Sequence, residues 1–192
     1  MNLTEQQTLL TRVFCERKTL TVARDLLGCV LHRRLDDNTV LSGIIVETEA
    51  YTQDDPSCHA YRGVTPRSKT LYGPPAKAYV YFIYGMYHCF NVVTEPEHTA
   101  GAVLIRALEP VEPLKNTHGP ARLCKAMQIT RELNEVDLTD TDGPLWITTG
   151  VRIPDNKVKN TTRIGISVAT DYLWRFYIKD NKHVSVKEPR KK

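Results

Sequence analysis

The sequence predicts a single mixed α/β domain of the α+β type, on three observations. Its 192 residues, 41% hydrophobic and 25% charged, suffice for one full core, and no repeat, low-complexity linker or composition break divides residues 1–192. Strand-like runs rich in branched and aromatic residues follow one another across turn signals. Helical patterns are few and short, near residues 4–13, 22–27 and 120–127.

Composition also excludes several classes. A net charge of +4 permits nucleic acid as a partner without demanding it. The five cysteines, Cys15, Cys29, Cys58, Cys89 and Cys124, include no C-x-x-C, so neither a structural zinc site nor any other metal or cofactor is expected. Cys58-His59 and His88-Cys89 do not rescue zinc, because neighbours in an extended chain point to opposite sides. Free thiols, no signal-like N-terminus and no apolar run of membrane length predict a cytoplasmic protein without a membrane partner. Residues 187–192 read as a solvated basic tail.

In chain order, Thr4 is placed to cap an N-terminal helix carrying Leu9, Leu10 and Val13, within an extension over residues 1–19. Thr21 is placed to cap a second helix over residues 22–27, which Gly28 would terminate. Residues 29–33 read as a strand, Asp36-Asp37-Asn38 as a turn, and residues 40–51 as the returning strand. That second strand opens with Ile44, Ile45 and Val46 and ends in Glu47-Thr48-Glu49-Ala50-Tyr51. Alternation places Ile45, Glu47, Glu49 and Tyr51 on one face, so core gives way to two carboxylates and a tyrosine. A site for proton transfer and a solvated strand end both fit these residues alone.

From Thr52 to Ala78 periodicity disappears into a long connection carrying His59, Arg62, Arg67, Lys69 and Lys77. Residues 78–93 then form two β-rich runs meeting at Gly85-Met86, where a type II′ hairpin is expected. Seven of nine tyrosines lie between Tyr51 and Tyr87, so aromatic character is local to this loop and hairpin. A tyrosine such as Tyr84 at an exposed tip suits stacking on or wedging between bases better than it suits core packing, although a cross-strand aromatic ladder also fits. Residues 102–108 form a strand apolar on both faces except for Arg106, whose charge needs an acidic partner; Glu47 and Glu49 are the candidates. Pro120 begins a helix through Met127, and strands follow at 145–147, 162–166 and 174–178.

Taken together, Val46-Glu47-Thr48-Glu49-Ala50-Tyr51, Tyr79-Val80-Tyr81-Phe82-Ile83-Tyr84-Gly85-Met86-Tyr87 and Arg106-Ala107-Leu108-Glu109-Pro110 resemble the alkyladenine (3-methyladenine) DNA glycosylase family, with matching order over about residues 20–186. Gly119-Pro120-Ala121-Arg122-Leu123-Cys124 and Arg163-Ile164-Gly165-Ile166 extend the resemblance. It implies a curved, mostly antiparallel sheet with surrounding helices and a protruding hairpin. It also implies minor-groove binding of double-stranded DNA, flipping of a damaged purine and hydrolysis of its N-glycosidic bond, without lyase activity. The substrates implied are 3-methyladenine, 7-methylguanine, hypoxanthine and ethenoadenine. By the same resemblance Glu49 is the general base, and Arg106 and the Ile164 carbonyl hold its water. Tyr51, His59 and Tyr81 wall the base pocket, Asn91 forms its floor, and Tyr84 fills the gap left by the flipped nucleotide. One pocket for one nucleotide implies a monomer.

Two positions depart from the family pattern: Ala76 stands where glycine is common, and Tyr72 replaces a common phenylalanine. Three other functions compete. A non-catalytic nucleic-acid binding module would leave Glu49 without a task. A glycosylase with lyase activity would need a pocket lysine, with Lys69 and Lys77 the loop candidates. A hydrolase of free nucleosides would have no use for a wedge at Tyr84.

Overall fold

The protein is described here by a computed structural model covering residues 7–83, 85–111 and 113–186. Helices α1 (Arg12–Cys15) and α2 (Thr19–Asp25) precede the hairpin of β1 (Val30–Arg34) and β2 (Val40–Thr52). The long connection follows, then β3 (Ala78–Ile83), β4 (Tyr87–Thr94), β5 (Gly101–Pro110) and α3 (Pro120–Ala126). Strands β6 (Leu145–Thr148), β7 (Val158–Thr161) and β8 (Arg175–Ile178) complete the chain. All eight strands join one antiparallel sheet in the order β3-β4-β5-β2-β1-β6, with β8 pairing both β2 and β7. The predicted class, a single domain around a curved antiparallel sheet, is what the chain adopts.

Strand β2 organises the sheet. One edge pairs with β5 along nearly its whole length, while the other meets β1 over Val40–Ile44 and β8 over Glu47–Glu49. The register with β5 shifts between Ile45 and Thr48, and such irregularities bend a strand and increase its twist. The bend falls where the strand changes from core to carboxylates. Helix α2 covers this region with Val22, Ala23 and Leu26, all fully buried, and Thr48 Oγ1 donates to the Ala23 carbonyl at 2.7 Å. On α3, Leu123, Cys124 and Met127 are buried against the same core.

Several boundaries differ from the sequence expectation, most of them for a tertiary reason. The proposed cap Thr4 lies outside the described residues. Leu9 bridges Thr148 and Leu10 donates to the Ile147 carbonyl, so this segment lies along β6 and α1 starts only at Arg12, capped by Thr11. Helix α2 starts at Thr19, not Val22, because the Glu95 carboxylate accepts from both the Thr19 N–H (2.6 Å) and its hydroxyl (2.7 Å). Gly28 ends that region at φ +89°, where a Cβ would lie 2.0 Å from the Val151 carbonyl oxygen. In the β3–β4 turn Ile83 pairs with Tyr87 and Met86 N–H donates to the Ile83 carbonyl. Gly85 (φ +68°) is therefore the third turn residue, not the second as a type II′ turn requires. Residues 162–166 form no strand; they leave the sheet after β7, and their polar groups go to the site described below.

A charged cluster is sealed inside this fold. Glu47, with no exposed surface, accepts from Arg106 Nε at 2.9 Å, Arg175 Nε at 2.8 Å, Ser185 N–H at 2.6 Å and Ser185 Oγ at 2.9 Å. Burial opposes its charge, but Arg106 and Arg175 outweigh burial and hold the carboxyl below its ordinary value. A carboxyl so depressed contributes stability that is present above its unfolded-state pKa and lost as pH falls through the folded one. Glu47→Gln is expected to cost about 3–5 kcal/mol at pH 7, as loss of one partner in a buried pair does. Urea denaturation should show that gap shrinking as the pH drops below 4.5, the ordinary value for this group.

Candidate active site

The bent end of β2, the long connection, the β3–β4 hairpin and the 162–168 segment enclose a cavity of about 560 Å³. That is the size range of small-ligand sites. Tyr51, His59, Tyr81, Asn91, Arg106 and Ile164 all line it. Of the eight residues singled out from sequence, these six are brought together. Tyr84 lies outside the described residues. Glu49 is wholly buried and lines no open surface, but the three groups that hold it do.

Those three converge from different elements. The Tyr51 hydroxyl donates to Glu49 Oε2 at 2.8 Å, Arg106 Nη1 lies 3.1 Å from the same oxygen, and the Ile164 N–H donates to Oε1 at 2.8 Å. Tyr51 and Glu49 are two apart on β2, so they share a face. Burial and the Glu49 charge keep the Tyr51 phenol protonated far above its ordinary range, which is the state a donor needs. Arg106 is held by both carboxylates despite its burial, which pushes its already high pKa further up. The sequence singled out Ile164 for its carbonyl; the structure places its N–H on the carboxylate. Every group directed at Glu49 is a donor.

Glu47 differs. It shares the face of Glu49 and is as deeply buried, but two guanidiniums and Ser185 occupy it. Of these only Arg106 lines the cavity, whereas all three groups on Glu49 do. Alternation alone left the two glutamates equivalent. Their partners separate them.

The aromatic wall is built from β3 and the connection. Tyr79 and Tyr81, two apart on β3, lie 5.4 Å centroid to centroid, and His59 stands edge-on to Tyr81 at 4.6 Å. His59 Nδ1 is 2.8 Å from the Tyr79 hydroxyl. Burial, aided by the charge of Arg67, lowers the His59 pKa to about 4, so the ring is neutral at physiological pH. Burial raises Tyr79 to about 12. Arg67 donates to the phenol oxygen, and in the tautomer in which the Tyr79 hydroxyl donates to His59 Nδ1 the ring keeps Nε2–H as its donor. Asn91 Nδ2 donates to the Tyr79 carbonyl at 3.1 Å, which fixes the side chain in the cavity lining.

The two departures from the family pattern have different consequences. Ala76 takes the left-handed conformation (φ +64°) that glycine adopts without strain. The Tyr72 hydroxyl donates to the Ala60 carbonyl at 3.0 Å, tying down the His59 loop as a phenylalanine would not. Sequence reasoning gave no role to Tyr79, Arg67 or the buried pair of Arg163 and Asp55. Tyr79 was legible in principle, since it shares a strand face with Tyr81. The other three depend on contacts between distant segments.

Among the described residues no group of three or more His, Cys, Asp or Glu side chains is arranged to hold a metal ion. No helix among them is long and apolar enough to cross a membrane. The lysine candidates lie elsewhere. Lys77 Nζ is 3.3 Å from Asp137, Lys69 is exposed, and no lysine is among the cavity-lining residues described.

The family model of the methylpurine-DNA glycosylases matches residues 13–182. A relative from Carboxydothermus hydrogenoformans is 48% identical over 93% of this chain and 100% of its own length. One from Methanoculleus marisnigri is 44% identical over 92% of this chain and 98% of its own. One from Sodalis glossinidius is 48% identical over 88% and 96%. All three are provisionally named 3-methyladenine DNA glycosylases. With the match spanning the β2 carboxylates, the aromatic wall and the 162–168 segment alike, the chain belongs to the methylpurine-DNA glycosylase family.

Proposed function

We propose that this protein flips alkylated or deaminated purines out of duplex DNA, approached from the minor groove, and hydrolyses their N-glycosidic bond as a monomer. The observation that carries the reading is the convergence of Tyr51, Arg106 and Ile164 on Glu49 at the wall of an aromatic cavity. Donors alone surround this carboxylate, as a base awaiting a proton requires. A water on Glu49 attacks C1′ of the deoxyribose, the C1′–N bond breaks, and the base leaves with the bonding electrons. The water's proton passes to Glu49. The assignment to Glu49 over Glu47 rests on the four donors that occupy Glu47.

The walls suit the substrates. Methylation at purine N3 or N7 makes the base cationic, a better leaving group and a better partner for the faces of Tyr51 and Tyr81. A neutral base such as hypoxanthine needs a donor to its ring as the bond breaks, and His59 Nε2–H is the group available. Normal purines are held back by pairing and stacking in the duplex. Phe82, Met86 and Tyr87, exposed on the β3–β4 hairpin, support the reading of this hairpin, with Tyr84 in its sequence, as the wedge that replaces the extruded nucleotide. The absence of lysine from the described lining favours water over an amine as the nucleophile.

Two outcomes are expected. Duplex oligonucleotides bearing one hypoxanthine or one 7-methylguanine should lose that base, with no strand nicking and no covalent complex trapped by borohydride; free inosine should be inert. Trapped complex would convict a lysine, and release from the free nucleoside alone would make the protein a nucleoside hydrolase. In single-turnover assays His59→Ala should slow hypoxanthine release about tenfold more than 7-methylguanine release, the worth of roughly one hydrogen bond. Equal losses on both would remove His59 from leaving-group stabilisation.

A further inference from the structure

Behind the Tyr51 ring lies a cation that the proposed chemistry does not use. Arg163 Cζ stands 4.7 Å from the Tyr51 centroid, and also 5.1 Å from Trp174 and 5.9 Å from Tyr172. Its side chain has no exposed surface and does not line the cavity, whereas Tyr51 does. The guanidinium therefore covers the face of Tyr51 turned away from the cavity. Asp55, equally buried, receives Arg163 Nη1 and Nη2, and Nη1 also donates to the Ala50 carbonyl at 2.9 Å. Arg163 Nε has no hydrogen-bond partner among the described residues. A buried donor left unsatisfied is costly, so the ring contacts and the fork to Asp55 are what hold the group here.

A ring attracts a cation through the electron density on its faces, and that attraction strengthens where water is excluded. A guanidinium on one face draws density away from the other. Resting on the glycosylase reading above, we infer that Arg163 and Asp55 set the balance between cationic and neutral bases by tuning the Tyr51 face that stacks on the substrate. Arg163 touches no substrate and acts through Tyr51 as a specificity-determining residue. Its charge weakens the hold on methylated purines, and the Asp55 charge behind it limits that weakening. The pair keeps the pocket open to neutral lesions.

The pair can be broken from either side with opposite consequences. Arg163→Met removes the cation and leaves Asp55 unpaired; Asp55→Asn removes the anion and leaves the cation. Each is read by single-turnover release from duplexes bearing one 7-methylguanine or one hypoxanthine, with thermal denaturation in parallel. The ratio of 7-methylguanine to hypoxanthine rate should rise at least threefold in Arg163→Met and fall at least threefold in Asp55→Asn. Arg163→Lys keeps charge behind the ring and should leave the ratio within twofold of wild type even where both rates drop. A merely structural salt bridge predicts the same direction in both disruptive variants, and equal shifts or an unchanged ratio would overturn the inference. Should Arg163→Met not fold, Asp55→Asn against Arg163→Lys carries the decision, and a ratio that does not fall in the former overturns it. A wild type silent on both duplexes would overturn the glycosylase reading itself and this inference with it.

Discussion

Two arginines and two glutamates, buried together at the bend of β2, are the interaction on which the rest of the structure depends. Arg106 spans Glu47 and Glu49, and Arg175 completes the charge balance on Glu47. Removing four charges from water is expensive, and only close pairing with satisfied hydrogen bonds offsets that cost. The pairing requires β5 on one edge of β2 and β8 on the other, and Ser185 after β8 supplies the last two donors. Segments up to 138 residues apart must therefore be in place before Arg106 is held against Glu49. Fold and site are one electrostatic object.

The division of labour between the two carboxylates follows. Glu47 anchors; its oxygens serve Arg175 and Ser185, which do not line the cavity, and the Nε of Arg106, which does. Glu49 is held instead by three cavity-lining groups, each from a different element. A carboxylate on a central strand, gripped by groups from three directions, has little freedom to move, and the proposed role as general base depends on positioning of this kind. The 162–168 segment contributes by abandoning the sheet. Arg163 pins it to the end of β2 and to the connection, and the Ile164 N–H is thereby delivered to Glu49.

Much of this was legible in the sequence, for physical reasons. The β2 pattern announced a change from apolar core to carboxylates, because alternation and the misfit of glutamate in a strand are local facts. The strand does not leave the core there, since partners from distant segments bury Glu47 and Glu49 fully. Arg106, alone in an apolar strand, demanded an acidic partner, and both candidates contact it. The helix starts, the turn geometry at Gly85 and the fate of residues 162–166 were misread. The turn is set locally by the Ile83–Tyr87 pairing, whereas the helix starts and the 162–166 segment are decided by partners distant in sequence, such as Glu95 capping α2 or Glu49 taking the Ile164 N–H. The choice between Glu47 and Glu49 was hidden for the same cause, since Arg175 and Ser185 arrive from the far end of the chain. Asp55 and Arg163 looked like ordinary loop charges until burial paired them.

The most direct test is single-turnover base release from a hypoxanthine duplex by wild type beside Glu49→Gln, with duplex affinity measured for both. Gln keeps the shape but cannot accept the water's proton, so binding should persist while release falls by at least 10²-fold, the usual worth of a general base. Release that survives in Glu49→Gln but vanishes in Glu47→Gln would contradict the assignment and move the base to the other carboxylate.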